Sequence, residues 1–216
     1  MHVKKEDVFE ALDSAKAGPV TEGNIGGGTG MALYGFKGGN GTSSRIIKID
    51  TATYTVGVFM QANFGRRNEL LIAGIPVGRE IKDYQPVINN PKKKDGSVII
   101  IIATDAPLLP SQLKLVTKRA AMGLARTGSF AHNGSGDIFL AFSTQSPPPN
   151  SKGTHQTWNV LTKDALDWVF RATVEATEES VINALIAAET MTGKDGNIYY
   201  AIPHDQVKAV LKRYNR

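Results

Sequence analysis

The residues best suited to chemistry stand together at Asn133-Gly134-Ser135-Gly136-Asp137, a serine held between two of the smallest residues. A serine hydroxyl can attack the carbonyl of the residue before it where the backbone is uncrowded, and Gly134 offers the least hindrance and the widest choice of backbone conformation. Such a cut would leave Ser135 as a new N-terminus. Its α-amine, with an ordinary pKa of about 7.7–8.0, could then act as the base for its own hydroxyl near neutral pH. The same five residues also read as a plain Gly-Ser-Gly turn. They do not match the G-x-S-x-G elbow, and they precede an apolar strand rather than join a strand to a helix.

Other chemistry fares less well. The segment Gly23 to Gly41, GNIGGGTGMALYGFKGGNG, lacks the Gly-Lys-Ser/Thr ending of a phosphate loop and a well-placed G-x-G-x-x-G. It reads as tight loops that could line a pocket. None of the four histidines, His2, His132, His155 and His204, pairs at i,i+4 with another, and no carboxylate completes a triad, so neither a metal nor a cofactor is expected. Cysteine is absent, which excludes disulfides, thiolate metal sites and a cysteine nucleophile and is compatible with a cytoplasmic protein. Lys and Arg exceed Asp and Glu by 25 to 20, but the one dense run, Lys92-Lys93-Lys94, has no interleaved aromatics, so no nucleic-acid partner is expected. The longest apolar run, Val98 to Ala103, is far short of the roughly 20 residues of a membrane span, and no secretory leader is visible.

These residues need elements to hold them. Helical spacing runs over Glu6–Lys16, Pro110–Arg126, Asp164–Thr190 and Asp205–Tyr214. Strand patterns cover Arg45–Asp50, Thr53–Asn63, Glu69–Ala73, Val98–Ala103 (a run that reads as buried on both faces) and Ile138–Phe142, with a short strand possible within Met31–Phe36. Gly65–Asn68 reads as a hairpin connection, Ile81–Gly96 as a long surface loop, and Pro147–Gly153 as another loop. The run of strands favours antiparallel pairing in an α+β layered sandwich. The 216 residues fit one domain.

Taken together, several segments resemble the L-aminopeptidase/D-esterase and β-aminopeptidase family, the self-processing serine aminopeptidases of N-terminal-nucleophile type. They are Gly23–Met31, Gly35–Gly39 with Gly41-Thr42, and Val56-Gly57-Val58 leading to Gln61–Arg67. They continue with Ala103–Leu108, Asn133–Ile138 running into Ala141–Thr144, Glu175–Glu179, and Asn183-Ala184-Leu185. The resemblance implies an αββα sandwich, autocleavage at Gly134–Ser135 into residues 1–134 and 135–216, and Ser135 as nucleophile. It implies Asn63 at the oxyanion, Glu175 as the glutamate that orients the site or balances the new amine, and Thr173 where some members carry a relaying serine. Substrates would be small peptides, amino-acid amides or esters, and the assembly a homo-oligomer of α/β pairs.

Family members also carry an N-terminal portion with core strands and an E-T-Y-D-G-like motif, and this chain starts after it. Some strands and an active-site tyrosine are therefore expected to be missing, with no substitute in Tyr34, Tyr54 or Tyr84. Two other readings stand beside the aminopeptidase. One is an inactive homologue or a partner-binding subunit. The other is acyl transfer of the ornithine acetyltransferase kind, in which Ser135 occupies the place of a self-generated N-terminal threonine.

Overall fold

The structure, a computed structural model, describes residues 3–89, 96–145, 154 and 157–216. Its centre is a four-stranded sheet in the order β3-β4-β5-β6, formed by Asn40–Ile49, Ala52–Asn63, Ser97–Thr104 and Ile138–Ser143. The strands β3 and β4 form a hairpin that turns at Asp50, whose φ is 53°. β5 runs antiparallel to β4. Between β5 and β6 lies helix α3, Pro110–Arg126, so this pair is parallel, as a helical crossover requires. The crossover carries the chain back along the sheet and sets the head of β6, just after Ser135, beside the start of β5.

Helices α3 and α4, Leu166–Ile186, cover one face of the sheet. Val56, Val58, Met60 and Ala62 of β4 and Val98, Ile100, Ile102 and Thr104 of β5 point into this layer and are buried, the period-two pattern of a half-covered sheet. The helix α4 lies close because its inner face is built largely of Ala, Thr and Ser. Gly41 and Gly123 let it approach: a Cβ on Gly41 would stand 1.9 Å from the Ser180 carbonyl oxygen, and one on Gly123 2.5 Å from Thr177 Cβ. Pro110 opens α3, and Gln112 Oε1 accepts the Leu109 N–H at 2.7 Å, closing the first turn.

The architecture is α+β, as expected, but the described residues hold one helical layer and one main sheet. The other face of that sheet is open, with Ile138 61% and Leu140 56% exposed and Ile99 and Phe142 beside them. Val98–Ala103 is therefore not buried on both faces; alternate residues reach the core, and the others meet no second layer among the described residues. Glu69–Ala73 is not a strand. Arg67–Glu69 forms a 3₁₀ turn, and left-handed Ala73 and Gly74 reverse the chain so that Ile72 bridges Ile75. The apolar character of Leu70 and Ile72 marks core contacts instead. Gly65–Asn68 is accordingly no hairpin.

The N-terminal helix α1, Lys5–Asp13, forms as its spacing predicts, yet none of its residues is buried, and Val8, Phe9 and Leu12 face outward. Of Ile81–Gly96, the first part is irregular but anchored, with Ile81 buried and Val87 bridging Ile198. The lysine run, the triproline loop, His2 and His155 lie outside the described residues. Short pairs complete the fold: β1, Ala32–Leu33, with β2, Phe36–Lys37, and β7, Met191–Thr192, with β8, Ile198–Tyr199. Helix α2, Val77–Glu80, and helix α5, His204–Arg213, pack together.

Candidate active site

Ser135 sits in the tight connection between α3 and β6 and is half-buried. Its backbone N–H donates to the His132 carbonyl at 2.8 Å, closing a turn over Asn133-Gly134. One residue on, the Gly136 N–H donates to the Gly96 carbonyl at 3.2 Å, pinning the chain to the start of β5. The Gly134–Ser135 peptide bond is thus held between a turn and a strand. The Ser135 hydroxyl donates to Asp137 Oδ1 at 2.6 Å. The left-handed backbone of this stretch falls at Gly128 (φ 97°) and Ala131 (φ 53°) rather than at Gly134.

Asn63 ends β4 opposite Ser97, and the parallel register continued back from Ile99–Ile138 sets Gly136 beside Ser97. Asn63 and the Ser135 turn therefore share one end of the sheet, two strands or about 10 Å apart. Asn63 Oδ1 accepts the Ala32 N–H at 3.0 Å. That bond fixes which way the amide lies and leaves its N–H₂ end as the donor.

The glycine-rich segment docks on this same end. Tyr34 and Gly35, with φ of 51° and 71°, turn the β1–β2 hairpin, and the Tyr34 N–H donates to the Phe64 carbonyl at 2.8 Å. Two cations hold the segment. Lys37 is buried, and its Nζ donates to the carbonyls of Gly38 at 3.0 Å, Gly28 at 3.5 Å and Met31. Burial pushes its ammonium down to about 8. Arg67 stacks 3.3 Å over the Phe36 ring and donates to the carbonyls of Tyr34, Gly35, Asp83 and Tyr84 at 2.8–3.1 Å. Burial lowers it to about 10.

Glu175 and Thr173 lie elsewhere. Glu175 pairs with Arg171 at 2.7 Å and with Arg45 at 3.5 Å. The Arg171 hydrogen bond, then the charges of Arg171 and Arg45, hold its carboxyl below the usual range against the opposing effect of burial. Arg45 pairs with Val56 on β4, seven residues from Asn63, which is roughly 23 Å of strand. The Thr173 hydroxyl is buried and donates to the Val169 carbonyl one turn back at 2.8 Å. Of the expected site residues, Gly134, Ser135 and Asn63 come to one end of the sheet, and Thr173 and Glu175 do not join them.

Tyr34 is buried, its hydroxyl 2.8 Å from Thr127 Oγ1 and pushed to a higher pKa by burial, and Tyr84 packs edge-on against Tyr200. Sequence reasoning passed over the neighbours of the Ser135 turn. His132 Nε2 lies 3.1 Å from Glu69 Oε1, and its ring stacks on Phe130 at 4.3 Å. Glu69 and His132 stand 63 positions apart in the chain, so no local spacing pairs them, whereas Asp137 is only two residues from Ser135.

A shallow cleft lined by Tyr84, Ile186, Glu189, Thr190, Pro203 and His204 sits at the C-terminal end of α4 and does not include Ser135. Among the described residues no group of three His, Cys, Asp or Glu could hold a metal ion, and no helix is long and apolar enough to cross a membrane.

A sequence profile of peptidase family S58 matches residues 1–199. The chain belongs to this family. A β-peptidyl aminopeptidase of Sphingosinicella microcystinivorans is 46% identical over the whole of this chain and 57% of its own length. Among solved structures, the L-aminopeptidase D-Ala-esterase/amidase of Ochrobactrum anthropi, described as a variant of the Ntn hydrolase fold, superposes with a TM-score of 0.89 at 43% identity, over all of this chain and 59% of that one. A β-aminopeptidase of Burkholderia sp. superposes with a TM-score of 0.86 at 37% identity, over 98% of this chain and 59% of that one. This S58 chain thus shares the Ntn-type fold and spans a little under three fifths of the length of these relatives.

Proposed function

We propose that this S58 chain cuts itself between Gly134 and Ser135 and that Ser135 then hydrolyses amide or ester bonds next to a free N-terminal amino group. The observation that carries this reading is the placement of Ser135 in a hydrogen-bonded turn at the head of β6, at the sheet end that also holds Asn63. The freed α-amine of Ser135 takes the hydroxyl proton, Oγ attacks the substrate carbonyl, and the Asn63 N–H₂ stabilises the oxyanion. The amine returns the proton to the leaving group, and water then resolves the acyl-enzyme.

The names of the relatives support small peptides, amino-acid amides or esters as substrates. The cysteine-free composition is consistent with a cytoplasmic setting. Intact-mass measurement and N-terminal sequencing of the purified protein test the cut. Two pieces, the second beginning at Ser135, are expected, and Ser135→Ala should stay whole; a wild-type chain that never divides rejects the reading.

The open sheet face favours a second possibility, that the chain works only with a covering partner. Ile99, Ile138, Leu140 and Phe142 form an apolar strip on the strands that flank the site. Homo-oligomerisation of α/β pairs is the form of partnership proposed, and sedimentation of the purified protein tests it.

A further inference from the structure

Before the chain is cut, the nitrogen of Ser135 is an amide. It donates to the His132 carbonyl and has no lone pair available to accept a proton. The α-amine that serves the mature enzyme therefore cannot serve the first cut, and another group must take the hydroxyl proton. Among the described contacts of Ser135 Oγ, the partner is Asp137 Oδ1 at 2.6 Å, a distance in the short range of a hydroxyl bonded to a carboxylate. Among the described residues no cation pairs with Asp137. His132, the other titratable side chain of the turn, stacks on Phe130 and faces Glu69. The turn closed at His132 and the Gly136–Gly96 bond hold the residues on either side of Ser135, so the hydroxyl and the carboxylate meet on a fixed backbone.

We propose that Asp137 is the base of the self-cleavage step: its carboxylate takes the Ser135 hydroxyl proton when Oγ attacks the Gly134 carbonyl. This rests on the reading of Ser135 as the nucleophile. As the proton moves to Asp137, Oγ bonds to the carbonyl carbon of Gly134 and the carbonyl electron pair moves to oxygen. The C–O double bond re-forms as the C–N bond breaks, and the departing nitrogen collects the proton from Asp137. The chain is then joined through a Gly134–Ser135 ester. Water adds to that ester, its C–O bond to Oγ breaks, Gly134 leaves as a carboxylate, and the serine hydroxyl regains a proton. No cofactor or oxidant is needed. Asp137 acts once in this scheme, before the new amine exists.

The test follows the uncut fraction of the full chain by intact mass after refolding, for wild type, Ser135→Ala, Asp137→Asn and Asp137→Glu. Asp137→Asn keeps the size and the hydrogen-bond acceptor but not the base, and should cut about 10²–10⁴-fold more slowly than wild type. Asp137→Glu keeps a carboxylate and should cut faster than Asp137→Asn. If wild type cuts, Ser135→Ala does not, and Asp137→Asn matches wild type, Asp137 is overturned while Ser135 stands. If wild type itself never cuts, the reading of Ser135 falls and takes this one with it. A thermal unfolding midpoint equal to that of Ser135→Ala shows that Asp137→Asn is folded. Should it not be, Asp137→Glu decides, and a folded Asp137→Glu that stays whole beside a cutting wild type rejects the proposal.

Discussion

Asn63 Oδ1 accepts the Ala32 N–H at 3.0 Å, tying the last residue of β4 to the glycine-rich hairpin. The bond orients an amide that otherwise could flip, and it joins two segments 31 positions apart at the sheet end that bears Ser135. Asn63→Ala should lower kcat on amide and ester substrates by about 10²–10³-fold with a smaller change in KM, the effect of losing one oxyanion donor. A change confined to KM would argue that Asn63 only binds.

Lys37 gives a pH test of the same region. Its ammonium is lowered by burial from 10.5 to about 8. Between these values the unfolded chain binds more protons than the folded one, so this group makes stability rise with pH across that window, and the cost of burying its charge is felt in full below it. Lys37→Met should remove that slope and, by leaving buried carbonyls without a donor, lower stability at neutral pH by about 1–3 kcal/mol. Denaturant unfolding at several pH values from 7 to 10.5 measures both; a variant with the wild-type slope would place its origin elsewhere.

Glu175 separates the family resemblance from the geometry. Bound to Arg171 and Arg45, it should contribute stability above the ordinary carboxylate value of 4.5 and lose it as pH falls through its lowered value. Glu175→Gln should cost about 0.2–1 kcal/mol near neutral pH, a difference that shrinks in acid, and should leave self-cleavage near the wild-type rate. It should also leave amide and ester hydrolysis by the cut protein near the wild-type kcat, and a large loss of kcat in a folded, cut Glu175→Gln protein would restore the role that the resemblance implies.

The open face predicts its own experiment. Leu140 is 56% exposed and makes little of the core. Leu140→Lys should change unfolding stability by no more than about 0.5 kcal/mol, yet weaken any association that covers Ile138, Leu140 and Phe142. Sedimentation velocity at matched concentrations reads this directly, and an unchanged sedimentation profile would remove the face from the assembly.

Much of this protein is legible along the chain. Alternation in Thr53–Asn63 and the four-residue rhythm of Pro110–Arg126 predict β4 and α3 nearly to their ends, because those patterns are set by which side chains a strand or a helix turns to one face. Glu69–Ala73 misleads because an apolar run says only that residues are buried, and here left-handed turns, not a ladder, bury them. Val98–Ala103 misleads for a related reason: apolar residues on both faces of a strand do not show which face is covered.

By itself the sequence determined that Ser135 stands between glycines before a strand, that Asn63 ends another, and that the motifs occur in the order of a known family. These are matters of neighbouring residues and local period. Only the tertiary structure decided which of them meet. The α3 crossover runs β6 parallel to β5, which carries Ser135 to the Asn63 end. Helix α4 runs along β3, with Asn183 bonded to Thr42 and Glu179 to Ser43, and this course takes Glu175 to Arg45 instead. The strand order of the sheet and the seating of a helix upon it depend on contacts between residues far apart in the chain, and no spacing within one segment records them.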